Sequence, residues 1–181
     1  REGSGQVATN RRDAEAQRGS RGRVRPARAQ THRRMKLNDK SLGMKFFKRS
    51  VMLRPNAGGE DAVKAYRAYL ATIEHLLPSS AREFRAKARL HDSGVDKIEH
   101  TRGGLVLELD SFRLTFGDVS RFVAPAEELD EAVWLYSEVD TAPRGRFVLR
   151  VLLDQGELEV EAAKVGLFDV EEKRWIVNPD E

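Results

Sequence analysis

The chain has 181 residues, a formal net charge of +3 at pH 7 and no Cys. The missing thiols exclude disulfides, thiolate metal sites and cysteine nucleophiles, and no apolar run approaches the roughly 20 residues that a membrane-spanning helix needs. We therefore expect a cytoplasmic protein that does not act at a membrane, and we expect no cofactor and no resident metal.

The first 34 residues differ in composition from the rest of the chain. They contain ten Arg and three acidic residues, but no Lys, Leu, Ile, Met or aromatic residue. Such a segment cannot bury enough apolar surface to offset the entropy of ordering it, so we predict disorder. Of the 32 basic and 29 acidic residues in the chain, 22 and 26 remain after this segment, a net charge of −4. The basic character therefore belongs to the extension.

We assign residues 1–43 to this Arg-rich extension and interpret it as lying upstream of the true start, for which Met35 and Met44 are the two candidates. If the extension is genuine, its charge favours nonspecific binding of nucleic acid with a steep dependence on salt. Nucleic-acid binding is not otherwise expected. The sequence leaves the choice of start and the oligomeric state open.

Two helices are predicted after Met44. Apolar residues at steps of three and four indicate an amphipathic helix that begins near Glu60 and ends before Pro78: Val63, Tyr66, Leu70, Ile73 and Leu77. A second, shorter helix follows, and it carries Arg82, Arg85 and Arg89 on one face. This spacing is more typical of a solvated helix face than of a phosphate-binding surface.

From Leu90 onward the hydrophobic period shortens towards two, which is typical of half-buried strands. Leu105–Leu109, Phe112–Phe116 and Leu158–Ala162 alternate in this way, and Asp154-Gln155-Gly156 predicts a hairpin turn. Phe147–Leu153 is apolar at nearly every position, so we predict that it is the central strand.

Two segments in the C-terminal third of the chain favour strands. Residues 126–139 fit either a helix or a short turn followed by a strand, and the aromatic and β-branched content favours a strand from about Val133. Trp175-Ile176-Val177 fits a last short strand. The predicted fold is α+β, with one or two N-terminal helices packed on a mostly antiparallel sheet of about six to seven strands. It forms a single domain over residues 44–170, followed by a charged tail over residues 171–181.

Four short motifs occur in an informative order: Met44-Lys45-Phe46-Phe47, Leu90-His91-Asp92, Leu105-Val106-Leu107-Glu108-Leu109 and Trp134-Leu135-Tyr136-Ser137-Glu138. Together with a hairpin over Phe147–Val160, they resemble a family of uncharacterised bacterial proteins, one of the domains of unknown function. The resemblance covers about residues 44–170. It implies an α+β fold and a start at Met44, and it implies no established activity.

His91 and Asp92 are the most specific polar pair, at the junction of the helices and the sheet. With His100 and Asp110 they offer nitrogen and oxygen ligands for a divalent metal, if the first two strands bring them together. The structural alternative is that Asp92 caps the turn at Ser93-Gly94 while His91 bonds the backbone. A small metal-dependent hydrolase that uses His91, Asp92 and His100 is therefore one hypothesis for the function.

The favoured hypothesis is a non-catalytic protein-binding module. One face of a predicted strand carries Glu157, Glu159 and Glu161. These residues form an acidic surface that suits a basic partner protein, by analogy with immunity proteins that bind toxins. Arg146 and Arg150 are expected to face them across the hairpin. Trp134 and Tyr136 are predicted to share a strand face and to pack in the core or to anchor a partner.

Overall fold

A computed structural model describes residues 43–53, 58–102, 104–125, 129 and 131–180, so the Arg-rich extension up to residue 42 lies outside the described residues. All of the described residues belong to one compact unit. Three helices come first: α1 (Arg49–Met52), α2 (Gly59–Ile73) and α3 (Ser79–Lys87). The two longer helices are the two that hydrophobic periodicity predicts.

Nine strands follow among the described residues, rather than the six to seven that were predicted, and all of their pairings are antiparallel. The strands are β1 (Gly94–Thr101), β2 (Gly104–Leu109), β3 (Phe112–Gly117), β4 (Arg121–Val123), β5 (Ala132–Ala142), β6 (Arg146–Leu153), β7 (Glu157–Ala162), β8 (Lys164–Asp169) and β9 (Arg174–Val177). The α+β class is confirmed, and so are the strand after Val133 and the last strand at Trp175–Val177. That last strand lies inside the segment assigned to the charged tail.

The sheet closes on itself. Its strand order is β4-β7-β6-β5-β1-β2-β3-β8-β9. The backbone N–H of Ser120 donates to the carbonyl of Glu161 at 2.9 Å, and the N–H of Ala163 donates to the carbonyl of Gly117 at 3.2 Å. The pairing of β3 with β8 therefore continues into the pairing of β4 with β7, and the strands form a ring around one interior.

That interior holds the main hydrophobic core. The inward residues of β6 are Phe147, Leu149, Val151 and Leu153, all fully buried. The opposite face of β6 is covered as well, because Leu152 packs in a second cluster with α2. Burial on both faces explains why this strand is a continuous apolar run. In the strand order, however, β6 lies between β7 and β5 rather than at the centre.

The seam between β1 and β5 is short, because only Gly94↔Val133 and Val95↔Ala132 are paired. Beyond this point the edge of β5 that faces away from β6 is free of strand partners among the described residues, and side chains satisfy its backbone instead. The N–H of Val139 donates to the Tyr66 hydroxyl of α2 at 2.5 Å. Blocking an open edge in this way prevents unwanted strand pairing. Helix α2 thus lies against the open edge and outer face of β5.

Candidate binding groove

The segment that precedes α1 is anchored to β5 by one carboxylate. Glu138 is 2 % exposed, and its two oxygens accept three consecutive backbone N–H groups: those of Lys45 at 2.9 Å, Phe46 at 2.6 Å and Phe47 at 2.6 Å. A buried carboxylate needs such donors, because an unpaired charge in the interior is costly. The aromatic side chains that flank the anchor pack on Tyr66 and Tyr136. Glu138 thereby fixes the start of the described fold on the outer face of the sheet.

Next to this anchor, Lys45, Tyr69 and Asp140 form a compact triad. The Lys45 ammonium and the Tyr69 hydroxyl each donate to the Asp140 carboxylate at 2.5 Å. The hydrogen bond to Asp140 raises the pKa of Lys45. Burial and the same carboxylate raise the pKa of Tyr69. Burial acts to raise the pKa of Asp140, but the hydrogen bonds that it accepts from Lys45 and Tyr69 outweigh this effect and lower it.

The directions of these three pKa shifts determine the protonation states of the triad. At neutral pH, Lys45 stays protonated, Tyr69 stays neutral and Asp140 stays ionised, because each pKa moves away from neutrality. A general acid or base works best with a pKa near the operating pH, and a nucleophilic lysine needs a lowered one. The triad is therefore suited to holding the chain in place, not to transferring protons.

The acidic face that the sequence predicts on β7 is largely neutralised. Glu159 is 3 % exposed, and its carboxylate pairs with Arg150 at 2.8 Å and with Arg121 at 3.2 Å. The expected pairing of Arg150 with this strand is confirmed, whereas Arg146 pairs with Asp118 of the β3–β4 turn. Opposite charges on neighbouring strands attract one another across the sheet, which explains these ion pairs. Glu159, the central member of the predicted acidic surface, is therefore buried in ion pairs.

Two neighbouring cavities follow α2 and form a groove beside β5. The first has a volume of about 370 Å³ and lies between the N-terminal half of α2, Met52 and Tyr136. The second, of about 200 Å³, lies between α2, α3 and the strand residues Ser137 and Val139. Val63 and Arg67 line both cavities, so the two are neighbours along α2. We call this feature the α2 groove.

The α2 groove combines an apolar floor with a cationic rim. Its floor consists of Met52, Val63, Leu70, Phe84, Ala88, Tyr136 and Val139. Its charged lining residues are three cations, Lys64, Arg67 and Arg85, against the one carboxylate of Glu60. Arg85 also donates to Glu74 at 2.7 Å, while Lys64 and Arg67 have no ion-pair partner within the described ranges. Positive charge thus collects here, although the chain after residue 34 is net negative.

The residues predicted to bind a metal are not gathered in one place. His91 lies beside Asp92, with 2.9 Å between Nδ1 and Oδ2, just before β1 begins. His100 lies at the far end of the same strand and packs on Phe122. Asp110 accepts the N–H of Gly94 at 2.5 Å. Among the described residues, no group of three or more His, Cys, Asp or Glu side chains is arranged to hold a metal ion.

Trp134 and Tyr136 do not share a strand face as predicted. A bulge separates them in the pairing of β5 with β6. Trp134 is 2 % exposed in the main core, whereas Tyr136 turns outward, contacts the His91 ring and lines the α2 groove.

The two outer members of the predicted acidic surface on β7, Glu157 and Glu161, are only partly exposed. Glu161 accepts a hydrogen bond from the Ser120 hydroxyl at 2.6 Å.

Sequence reasoning missed Glu138 and Asp140 as structural residues and missed the groove altogether. Glu138 occurs in the predicted strand and Asp140 directly follows it, and Glu138↔Arg150 is a registered pair of the sheet. That cross-strand pairing was a usable signal. The groove had no comparable signal, because it depends on where α2 docks.

A family model described as "Protein of unknown function (DUF4085)" matches residues 37–162. The match begins seven residues before Met44 and ends at the last residue of β7. A comparison with curated proteins found no match to the chain. Within the described residues, no helix is long and apolar enough to cross a membrane.

Proposed function

The chain belongs to this family of proteins of unknown function, and because membership brings no activity with it, we propose from the geometry that it is a non-catalytic protein-binding module. The α2 groove is its binding site, and the occupant is an acidic segment of a partner protein. The observation that carries this proposal is that two adjacent cavities share Val63 and Arg67 as lining residues and follow one face of α2.

The shape of the groove favours a chain segment. Its larger cavity, at about 370 Å³, is near the lower limit for a pocket that encloses a small molecule, and a second cavity extends it along the helix. An elongated apolar floor with polar edges suits successive side chains of a peptide laid beside α2. Tyr136 and Arg67, both groove-lining, are residue types that often dominate the energetics of such interfaces.

The charge of the groove selects the kind of partner. Lys64 and Arg67 lie at its rim without carboxylate partners among the described residues, in a domain that is otherwise net negative. Complementary charge increases the association rate and disfavours wrong partners. An acidic segment is attracted to this rim, whereas a basic partner is repelled from it.

The chemistry of the outer face supports binding over catalysis. The pKa values of Lys45, Tyr69 and Asp140 all move away from neutral pH. The two histidines that were candidates for a hydrolase, His91 and His100, lie at opposite ends of β1. The polar clusters around Glu138 and Asp140 stabilise the fold. The α2 groove, in contrast, has the shape and the charge of a binding surface.

The test is partner capture by the full chain from a nuclease-treated lysate of the source organism, compared across matched charge reversals. Arg67→Glu reverses a groove charge, and Arg102→Glu reverses an exposed charge of the β1–β2 turn that does not line the groove. We expect a stoichiometric partner with wild type and with Arg102→Glu, and at least a tenfold loss with Arg67→Glu.

The same assay separates this proposal from the acidic-surface hypothesis. A double variant with Glu157→Lys and Glu161→Lys reverses charge on β7 without touching the groove. If this variant loses the partner while Arg67→Glu keeps it, the binding surface is β7 and the partner is basic. Equal capture by wild type and Arg67→Glu, or no stoichiometric partner at all, contradicts a groove-binding function.

A further inference from the structure

We propose that the α3 end of the α2 groove is a carboxylate-binding site, in which Arg85 and Arg67 receive an Asp or Glu side chain of the partner protein. This inference rests on the proposed function and specifies the group that the partner inserts. It concerns the smaller cavity, of about 200 Å³, between α2, α3 and β5.

The first observation is an unsatisfied donor on Arg85. One terminal nitrogen of its guanidinium donates to Glu74 at 2.7 Å. The Nε–H is buried and has no hydrogen-bond acceptor in the part of the chain that the structure describes. Leaving a buried donor of a charged group unpaired is unfavourable, and such groups are rare in folded proteins. Because Arg85 lines the cavity, a ligand inside the cavity is positioned to supply the acceptor after a small adjustment of the side chain.

The second observation is the lining around that donor. Leu70, Phe84, Ala88 and Val139 provide apolar walls, and Arg67 provides a second guanidinium. Apolar surroundings strengthen a charge-assisted hydrogen bond, and the planar fork of arginine matches the two oxygens of a carboxylate. Ser137 of β5 also lines the cavity.

The balance of charge indicates a carboxylate rather than a phosphate. Arg67 and Arg85 contribute two positive charges, and Glu74 already neutralises one of them. One positive charge remains, and a single carboxylate balances it. A phosphate group carries nearly two negative charges at neutral pH, so it would bring one uncompensated negative charge into the cavity.

The test uses sodium acetate as the probe, titrated into the full chain at constant ionic strength set with sodium chloride. The readout is the Nε–Hε resonance of Arg85 in ¹H–¹⁵N NMR spectra, assigned by its loss in Arg85→Lys. We expect a saturable shift with acetate, little shift with chloride alone, and about fivefold weaker binding in Arg67→Gln, since one nearby charge contributes on the order of 1 kcal/mol.

Glu74→Gln is the decisive variant, because it removes the competing carboxylate and leaves Arg85 in place. If Arg85 receives the ligand, acetate binds about fivefold more tightly to this variant. A role of the Arg85–Glu74 pair in stability alone predicts unchanged or weaker binding. Absence of a saturable acetate shift, unchanged affinity in Glu74→Gln, or tighter binding of inorganic phosphate than of acetate each overturns the carboxylate site.

The two proposals fail in different ways. If acetate does not bind but Arg67→Glu still abolishes partner capture, the groove binds its partner without a carboxylate and only this inference is wrong. If acetate binds as expected but capture is unaffected by Arg67→Glu, the carboxylate site stands and the proposed protein-binding function is wrong.

Discussion

Glu138 offers the sharpest test of how the fold is held together, because one buried carboxylate accepts three backbone N–H groups. In Glu138→Gln the amide oxygen still accepts two of these bonds, but the amide nitrogen replaces the acceptor of the third. Hydrogen bonds to a charged group contribute about 1.5–3 kcal/mol each, roughly twice the neutral value. Losing one bond and weakening two lowers the free energy of unfolding by about 3 kcal/mol, taking the lower value per bond.

Urea denaturation followed by circular dichroism measures this change, and amide hydrogen exchange at residues 45–47 locates it. Glu99→Gln is the matched control, because Glu99 is an exposed glutamate of β1 whose loss should leave the unfolding midpoint unchanged within error. A Glu138→Gln variant within about 0.5 kcal/mol of wild type, the range of ordinary surface substitutions, would refute the reasoning. Unchanged exchange at residues 45–47 would refute it as well.

Two further predictions concern the same face of the sheet. Tyr66→Phe removes the acceptor of the buried Val139 N–H and should lower the free energy of unfolding by about 1–3 kcal/mol, measured by urea denaturation; no change would mean that water reaches this edge. Asp140→Asn should destabilise the protein by about 1–2 kcal/mol at neutral pH, because the buried carboxylate loses its charge opposite Lys45, which is partly exposed, and opposite Arg150, which is largely buried. The lowered pKa of Asp140 makes its contribution present above its ordinary pKa of 3.8 and lost as the pH falls through the folded value. The raised pKa of Lys45 makes its contribution complete below 10.5 and lost as the pH rises through the folded value. Thermal unfolding of wild type and Asp140→Asn from about pH 2 to 12 should therefore converge at the acid extreme, and a difference that persists there would contradict the pairing. At the alkaline extreme a smaller difference should remain, because Asp140 also pairs with Arg150, which stays protonated.

Local patterns in the sequence predict elements that bury one continuous stripe. The stripe through Tyr66, Leu70 and Ile73 predicts α2, and these three residues are its buried members. Trp175–Val177 is apolar enough to predict β9 despite its length of four residues. A single side of α2 faces a core, so its periodicity is visible without knowledge of its neighbours, whereas β9 is predicted from a run of three apolar residues.

Elements without such a stripe were missed or merged. Strand β1 exposes most of its residues, including Asp96, Lys97 and Glu99, because it separates from β5 after Val95. Strand β4 has only three residues, and Ala163 alone separates β7 from β8. These strands are specified by their pairing partners rather than by their own periodicity. For this reason the sequence indicated six to seven strands, whereas the described part of the chain has nine.

The candidate site was harder to predict for the same reason. The alternation of Leu158, Val160 and Ala162 places Glu159 on the outer face, but Arg150 and Arg121 bury it from neighbouring strands. The bulge that separates Trp134 from Tyr136 is likewise a property of strand pairing and leaves no clear composition signal. Tertiary contacts decide both outcomes.

The short seam between β1 and β5 has a consequence for how the molecule opens and refolds. The ring is joined there by two registered residue pairs and by the hydrogen bonds that Asp92 and Ser93 make with Trp134. The β5–β6 and β6–β7 hairpins need only short loops, whereas the seam joins residues nearly 40 positions apart and bears a larger loop-closure cost. We expect the hairpins to form before the seam closes. Because only two registered pairs hold the seam, whereas six hold β3 to β8, we expect the native ring to open along β1 and β5 more readily than between β3 and β8.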